Sequence, residues 1–256
     1  MNNESFKPIP VKPPSSNPFL FRVRCGVDLQ LGSIAKVLRP AMSTLRGVVL
    51  DVGAGESPWR EWLPPGSVYQ GIDIENADDY GMRRQPDVVY YDGKTIPFED
   101  GRFDGAICIE VLEHVEDPVS FMAELARVLK PQATLLLTVP WSARRHHVPH
   151  DYHRFTRERL QILLERAGFR ELQIRERGND ISAIANKLIV LTIRLLRPRR
   201  FAAYAWSLPL AVLVAPITAA MTVASHVSVA LGMGAAEDPL GYFVSAVRAA
   251  AVDGRP

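Results

Sequence analysis

The sequence has few of the residues that cross-link or export a protein. Among its 256 residues there are two cysteines, Cys25 and Cys108, and no CxxC pair. Cysteines this sparse predict neither a disulfide framework nor a cysteine-based zinc site, and they fit a reducing compartment. The first residues also lack the apolar core and small-residue cleavage pattern of a secretory signal. We therefore expect the protein to start in the cytoplasm.

An excess of one charge is also missing. Thirty Lys and Arg residues stand against 28 Asp and Glu residues, which leaves a net charge of +2. Nucleic-acid-binding domains carry a clear basic excess, so nucleic acid is not an expected partner. The composition, 47% apolar and 23% charged, is that of a folded globular chain with a core of its own.

Short apolar runs alternate with helical patterns beyond residue 45. Six runs rich in branched side chains predict strands: RGVVLDVG, VYQGIDIE, FDGAICIEV, ATLLLTVP, RELQIRE and GYFVSAVRA. Helices are predicted in DPVSFMAELARVLKP, between Asp117 as N-cap and Pro131 as stop, and in RERLQILLERAGF, ended by Gly168. This alternation predicts a Rossmann-like, doubly wound α/β fold: a mostly parallel seven-stranded sheet with helices on both faces.

Composition divides the chain into three parts. Five prolines among the first 18 residues predict an extended proline-rich arm at residues 1–18. Residues 19–180 and 237–252 are expected to form the sheet domain. Residues 181–236 are expected to be a helical insertion before the last strand, because the stretch from Phe201 to Ala236 holds no Asp, Glu, Lys or Arg.

The first predicted strand runs into a glycine-rich turn. Asp51 ends the strand, Gly53, Ala54 and Gly55 follow, and a helix is predicted to begin at Ser57-Pro58. Such a turn presents backbone amides beside the positive end of a helix, where an anionic ligand group is stabilised. A turn that needs glycine only for its backbone angles explains the bare pattern equally well.

Acidic residues at the ends of later strands favour a ligand. Asp73 lies 22 positions after Asp51, where a carboxylate can accept hydrogen bonds from both hydroxyls of an adenosine ribose. Asp92 would border the adenine ring, and Glu110 emerges at the same sheet edge. The third glycine of the dinucleotide fingerprint is absent, which argues against NAD and a nicotinamide oxidoreductase.

Four segments together resemble the class I S-adenosylmethionine-dependent methyltransferases, in the branch that acts on small molecules, lipids and glycans: LDVGAGES, YQGIDIE, VVYYDGKTIPFEDGRFDGAICIEVLEHVEDP and FMAELARVLKPQATLLLTVP. Ser57 and Gln132 stand where this family commonly has glycine. The resemblance implies S-adenosylmethionine as the cofactor. It places nine residues around that cofactor: Asp51, Gly53, Ala54, Gly55, Asp73, Ile74, Asp92, Gly93 and Glu110.

After the fifth predicted strand, WSARRHHVPHDYHRFTRERL is crowded with basic and histidine side chains. We interpret it as an acceptor loop, in which arginines bind phosphate or carboxylate and His150, oriented by Asp151, removes a proton from a hydroxyl. His114 is a second candidate base, or a residue that orders its own loop. A solvated basic loop anchored by Tyr152 and Phe155 fits the composition equally well.

No metal site is predicted from these histidines. They lack an HxxxH pair on a helix, and no set of carboxylate partners accompanies them in the sequence.

The insertion predicts contact with a membrane. The arginines of RLLRPRR, just before the uncharged run, would favour the anionic cytoplasmic leaflet. Pro209 and Pro216 interrupt the run and the last strand must return to the sheet, so we expect an in-plane or re-entrant helical hairpin rather than a single crossing. A hydrophobic lid or a homodimer surface would account for the same composition.

The expected function is methyl transfer from S-adenosylmethionine to an oxygen of a small-molecule acceptor, a glycan, a lipid-linked saccharide or a lipid. The expected location is the cytoplasm, with the protein peripheral or monotopic on the inner face of the cell membrane. Displacement at an activated sulfonium needs mainly the positioning of donor and acceptor. The alternative is a membrane-associated assembly partner that binds the cofactor without turnover.

Overall fold

Seven strands form one sheet in the computed structural model, which describes residues 9–77 and 82–250. Their order across the sheet is β3-β2-β1-β4-β5-β7-β6, with β7 antiparallel to both neighbours and the other pairs parallel. The prediction of a doubly wound, mostly parallel seven-stranded sheet is confirmed. The strands are β1 Val48–Val52, β2 Val68–Ile74, β3 Val88–Tyr91, β4 Phe103–Ile109, β5 Leu129–Pro140, β6 Phe169–Arg177 and β7 Gly241–Arg248.

Helices cover both faces of the sheet, as predicted. Leu125 and Leu160, from the third and fourth helices, belong to one apolar cluster with the sheet. Leu38 and Met42 of the second helix belong to another cluster, with Ile107 of β4. The helices of the described residues are α1 Pro18–Val27, α2 Leu29–Met42, α3 Pro118–Val128, α4 Arg157–Arg166, α5 Asp180–Leu196 and α6 Tyr204–Leu231.

Two predicted helix boundaries are wrong. Asp117 does cap α3, accepting from two backbone amides, but α3 ends at Val128 and the chain enters β5 at once, so Pro131 lies in the strand. No α-helix begins at Ser57-Pro58: Ser57 has a φ of +51°, and a single 3-10 turn, Arg60–Trp62, follows. A left-handed residue at this place does not continue into an α-helix.

The described part of the expected arm lies against the sheet domain. Ser15 donates from its backbone N–H and its hydroxyl to the carboxylate of Glu61. Arg24 of α1 donates to the carbonyl oxygens of Ile9 and Pro10, at 2.6 and 2.7 Å. The first eight residues of the arm, and residues 251–252 of the expected domain, lie outside the described residues.

The insertion is an antiparallel pair of helices, α5 and α6, joined by polar contacts. Asn179, the N-cap of α5, donates to the hydroxyl of Ser228 at 3.0 Å. Further along the pair, the hydroxyls of Ser182 and Ser225 are 2.9 Å apart. Near the far end of α5, Thr192 and Thr218 are joined at 2.8 Å. Small hydroxyl side chains therefore line the seam between the two helices.

The outer surface of α6 is apolar, which reverses the usual polarity of a surface helix. Its inward positions follow a heptad spacing and are mostly small or polar: Ser207, Ala211, Val214, Thr218, Met221, Ser225 and Ser228. Its exposed positions are large and apolar: Trp206, Leu208, Leu210, Val212, Leu213, Ile217, Val223, Val227 and Leu231. Among the described helices, the span Phe201–Leu231 is long and apolar enough to cross a membrane by length and composition, and 17% of its most apolar window is buried.

Candidate active site

The ends of β1 and β2 meet the glycine-rich turn at the carboxyl edge of the sheet. The backbone amides of Gly53 and Ala54 donate to the carbonyl of Ile72, at 2.9 and 3.0 Å. Gly53 has a φ of +71°, and a β-carbon added there would lie 2.3 Å from Val111, just past the end of β4. The site therefore requires glycine at residue 53 for two reasons, its backbone angle and the closeness of β4.

Asp73 joins the turn directly. Its two carboxylate oxygens accept from the amides of Gly55 and Ile74, each at 2.8 Å. Burial raises the pKa of Asp73, and these two amide bonds oppose the rise. Each carboxylate oxygen has a second lone pair, so the group can still accept hydrogen bonds from a ligand diol.

Asp92 and Gly93 follow the end of β3, next to the end of β2. Asp92 is exposed and accepts from the amides of Lys94 and Thr95, which lowers its pKa. Gly93 has a φ of +77°, and a β-carbon there would lie 3.2 Å from Ile74. The turn that follows β3 thus packs against the end of β2.

Asp51 is a buried carboxyl behind the glycine-rich turn. Its side chain accepts from the hydroxyl of Tyr69 at 2.7 Å, and the residue is 2% exposed. Burial raises its pKa to about 7, despite the hydrogen bond from Tyr69, and the charge of Asp73 adds to the rise. Of the residues assigned to the cofactor from the sequence, those at the ends of β1, β2 and β3 therefore lie next to one another.

Glu110 lies at the same edge, held by a residue that the sequence did not reveal. Its carboxylate accepts from Arg177 at 2.8 Å, and Arg177 is almost completely buried at the end of β6. The guanidinium also donates to Ser33 and to the carbonyl of Val139. The only signal in the sequence was a charged residue at the end of an apolar strand pattern, which is common on edge strands.

The predicted acceptor loop, residues 141–156, lies beside His114. The amides of Tyr152 and His153 donate to the carbonyl of Glu113, at 2.9 and 3.2 Å. Nδ1 of His114 lies 2.6 Å from the carbonyl oxygen of His150. Burial and, to a smaller extent, the neighbouring His146 lower the pKa of His114 to about 4, so this ring is neutral at pH 7. The structure therefore brings His114 together with the loop.

Asp151 was expected to orient His150, but the structure gives the Asp151 carboxylate other hydrogen-bond partners. Asp151 has a buried side chain that accepts from Arg154 at 2.6 and 2.8 Å and from the amide of His146 at 2.9 Å. Burial would raise the pKa of Asp151, but these bonds outweigh it and lower the pKa. His150 Nδ1 instead lies 3.0 Å from the hydroxyl of Tyr152. Asp151 thus holds the loop together.

Comparison with known proteins identifies the domain. The family described as a methyltransferase domain matches residues 50–137. Residues 50–137 of this chain are a methyltransferase domain by this match. The resemblance drawn from the sequence is confirmed, and so, for the family, is the cofactor.

Two curated relatives of the methyltransferase domain are O-methyltransferases by name. A ubiquinone biosynthesis O-methyltransferase from Thiobacillus denitrificans is 35% identical over 95 residues, which cover 32% of this chain and 40% of that protein. The O-methyltransferase resE from Aspergillus sclerotiorum is 30% identical over 161 residues, which cover 55% of this chain and 61% of that protein. The chain thus spans less than two thirds of the length of these relatives.

Solved structures match the fold over nearly the whole chain. A chain in the complex of the Haloferax volcanii Trm112 methyltransferase activator with a methyltransferase has a TM-score of 0.54 and 17% identity, and covers 93% of this chain and 97% of its own. The cyclase SpnF has a TM-score of 0.50 and 19% identity, and covers 95% of this chain and 99% of its own. At these identities, the likeness shows the fold.

Asp51 is expected to make the methyltransferase domain less stable as the pH rises. Its pKa is about 7 in the fold against a usual 3.8, so its contribution to stability is present at low pH and lost as the pH passes the folded-state pKa. Between pH 5.5 and 8, wild type should lose about 2 kcal/mol more of its unfolding free energy than Asp51→Asn loses. Urea denaturation at the two pH values measures this.

Asp104→Asn is the matched control. Asp104 accepts from Lys130, which lowers its pKa, so this carboxyl is ionised across the whole range. Its replacement should leave the pH dependence unchanged. An Asp51→Asn protein with the full wild-type slope would contradict the assignment.

Proposed function

We propose that this chain transfers a methyl group from S-adenosylmethionine to an oxygen of an acceptor that is lipid-linked or carried on a glycan. The observation that carries the proposal is Asp73, held by the amides of Gly55 and Ile74 beside the glycine-rich turn at the carboxyl edge of the sheet. The matched family, whose cofactor is S-adenosylmethionine, includes these residues. Two relatives named O-methyltransferases support oxygen as the methylated atom.

The site offers each part of the cofactor a suitable partner. The free lone pairs of Asp73 accept from the ribose hydroxyls, and Asp92 with Gly93 borders the adenine. The amino-acid end of the cofactor lies over the turn from Gly53 to Gly55. When Asp51 is ionised, its negative charge favours the cationic donor.

We propose that the acceptor binds at the carboxyl edge of the sheet, beside the acceptor loop near His150. The S–CH3 bond breaks as the O–CH3 bond forms, and the electron pair of the broken bond stays on sulfur, which leaves S-adenosylhomocysteine. The hydroxyl proton goes to a base, for which we propose His150, a half-buried imidazole beside Tyr152. His114 and Asp151 position the loop, and positioning supplies most of the acceleration.

We further propose that the insertion binds the inner face of a membrane. A helix with hydroxyl groups on its buried seam and large apolar side chains outside is suited to lipid, where small and polar residues join neighbouring helices. Arg194, Arg197, Arg199 and Arg200 lie around the turn between α5 and α6 and favour anionic lipids. Because α6 returns to the sheet through β7, an in-plane or re-entrant hairpin fits better than a single crossing.

The acceptor loop is in contact with this insertion. Asn186 of α5 donates to the carbonyl of Ser142, at the start of the loop, at 3.2 Å. A lipid-linked acceptor lying along the membrane would therefore reach the loop beside the helices that bind the lipid surface. This contact supports a lipid-linked acceptor over a freely diffusing one.

A second function remains compatible with the fold: binding of the cofactor, as an assembly partner, without methyl transfer. The specific observation is that a structural neighbour of nearly equal length, SpnF, is named a cyclase. A shared fold does not by itself establish the reaction.

Asp73→Ala is expected to weaken binding of S-adenosylmethionine by about 100-fold or more, because two hydrogen bonds to a charged group are lost. Isothermal titration calorimetry measures the affinity. Asp100→Ala is the control, because Asp100 is highly exposed and precedes β4 at the opposite edge of the sheet. Equal affinities for Asp73→Ala and wild type would refute the cofactor site.

Turnover separates the enzyme from the non-catalytic partner. Wild type incubated with a membrane extract and deuteromethyl-labelled S-adenosylmethionine should release S-adenosylhomocysteine and place the label on a lipid-linked or glycan product, seen by mass spectrometry. Heat-inactivated protein is the control. Cofactor binding without any labelled product in several extracts would favour the assembly partner.

Val212→Glu combined with Leu213→Glu is expected to weaken vesicle binding by about 100-fold, because each replaced side chain loses 1.5–3 kcal/mol of apolar burial. Flotation of the full-length protein with phosphatidylglycerol or phosphatidylcholine vesicles measures this, and the anionic vesicles should bind more protein.

Val119→Glu is the matched control, since Val119 is an exposed apolar residue of α3. It should leave vesicle binding unchanged. Wild-type protein that fails to float with either lipid would contradict the membrane proposal, and a lipid-free dimer broken by the double substitution would assign the apolar face to a second copy.

A further inference from the structure

Three histidine rings meet at the boundary between the end of β4 and the acceptor loop. His114 lies on the 3-10 turn Leu112–His114, while His146 and His147 are neighbours in the loop. Their ring centroids are 4.7, 5.1 and 5.2 Å apart. One nitrogen from each ring lies within 4.8 Å of the other two. The fold thus brings together residues that are more than 30 positions apart in the sequence.

Two of these rings are oriented by hydrogen bonds on their outer side. Nδ1 of His114 lies 2.6 Å from the carbonyl oxygen of His150, and Nδ1 of His146 lies 3.1 Å from that of Arg144. A carbonyl only accepts, so each Nδ1 carries the proton and each Nε2 carries a lone pair. Histidine ligands of metals are commonly fixed in this way by a second partner.

Both of these Nε2 atoms face Glu113. Its Oε1 is 3.6 Å from Nε2 of His114 and 3.9 Å from Nε2 of His146. The Glu113 side chain is completely buried, and neither carboxylate oxygen has a hydrogen-bond partner among the described residues. The completely buried carboxylate of Glu113 therefore faces two histidine nitrogens. A buried carboxylate without a partner is unfavourable, and a cation bound between these groups would satisfy it.

We propose that His114, His146, His147 and Glu113 bind one divalent transition-metal ion of the zinc type. Three imidazoles and one carboxylate are ligands that Zn²⁺ accepts in tetrahedral sites. Ligand nitrogens about 2.05 Å from zinc lie about 3.4 Å from each other. The three histidine nitrogens lie within 4.8 Å of one another, so they would have to approach by up to about 1.4 Å. No HxxxH pair on a helix announces this site, because Glu113 and His114 come from the turn after β4 and the other two histidines from the loop.

The ion would have a structural role. Four protein ligands fill a tetrahedral shell and leave no open position for water or substrate, which is typical of structural sites. His147 has a φ of +51°, and such backbone strain persists where surrounding contacts fix it. The ion would tie the acceptor loop to the end of β4 and so hold the loop at the cleft. This inference is independent of methyl transfer.

Metal binding to the full-length protein tests the proposal. The purified chain is stripped with a chelator and then titrated with Zn²⁺ in competition with a chromophoric chelator. We expect one ion per chain, and the visible spectrum of a tetrahedral site when Co²⁺ replaces Zn²⁺. His146→Gln and Glu113→Gln should each bind Zn²⁺ at least about 100-fold more weakly. Zn²⁺ should also raise the Tm of wild type and leave the Tm of these variants unchanged.

His153→Asn is the matched control, because His153 is a half-buried histidine of the same loop outside the cluster. It should bind Zn²⁺ like wild type. Calorimetry with S-adenosylmethionine shows whether each variant is folded, and the Co²⁺ spectrum of wild type gives a result that does not depend on any variant.

Wild type that takes up no stoichiometric ion would overturn the proposal and indicate a protonated Glu113 that donates to a histidine. Equal losses in His153→Asn and His146→Gln would overturn it as well.

Discussion

The close approach of two strand ends at residue 53 is the constraint on which the site depends. The space for a β-carbon at Gly53 is already occupied by Val111, and the backbone there is left-handed. Because no side chain separates them, the ends of β1 and β4 stay adjacent and the amides of the turn stay directed at the end of β2. Asp73 then completes the turn by accepting from Gly55. A bulkier residue at position 53 would disturb both neighbours at once.

The periodic parts of the sequence predicted the fold well, because burial imposes the pattern that they follow. Strands buried on both faces appear as continuous apolar runs, and these located β1, β2, β4 and β5. The edge strand β3 is only four residues long, Val88–Tyr91, and its run was not singled out as a strand. The two positions where the family has glycine, Ser57 and Gln132, both keep positive φ angles, of +51° and +66°. Both residues thus adopt the left-handed conformation that glycine favours, and at Ser57 this conformation is incompatible with the start of the expected helix.

Contacts between distant residues could not be read from the sequence. Arg177 and Glu110 are 67 positions apart, and nothing in either segment indicates that one completes the charge of the other. The burial of Glu113 could not be predicted either. It is an acidic residue between charged and apolar neighbours in the sequence, and it is completely buried in the fold. Similarly, Asp151 was expected to orient its neighbour His150, but Arg154 reaches its carboxylate instead. Local spacing identifies candidate residues, whereas their partners depend on the packing of the loop.

The acceptor loop is the element that connects the separate parts of the molecule. At its start, Ser142 accepts from α5 of the apolar insertion; in its middle, Tyr152 donates to the backbone of Glu113; at its end, Phe155 is buried in the main core. A shift of the helical hairpin relative to the sheet would therefore be transmitted to the loop at Ser142, while the core holds the other end fixed. The loop thus connects the insertion, the turn after β4 and the main core, so the proposed lipid-binding surface and the proposed acceptor site are joined through it. This connection gives a physical reason for the position of the insertion between β6 and β7: it lies next to the loop and on the other side of the sheet order from β1 and β2, where the cofactor site is proposed.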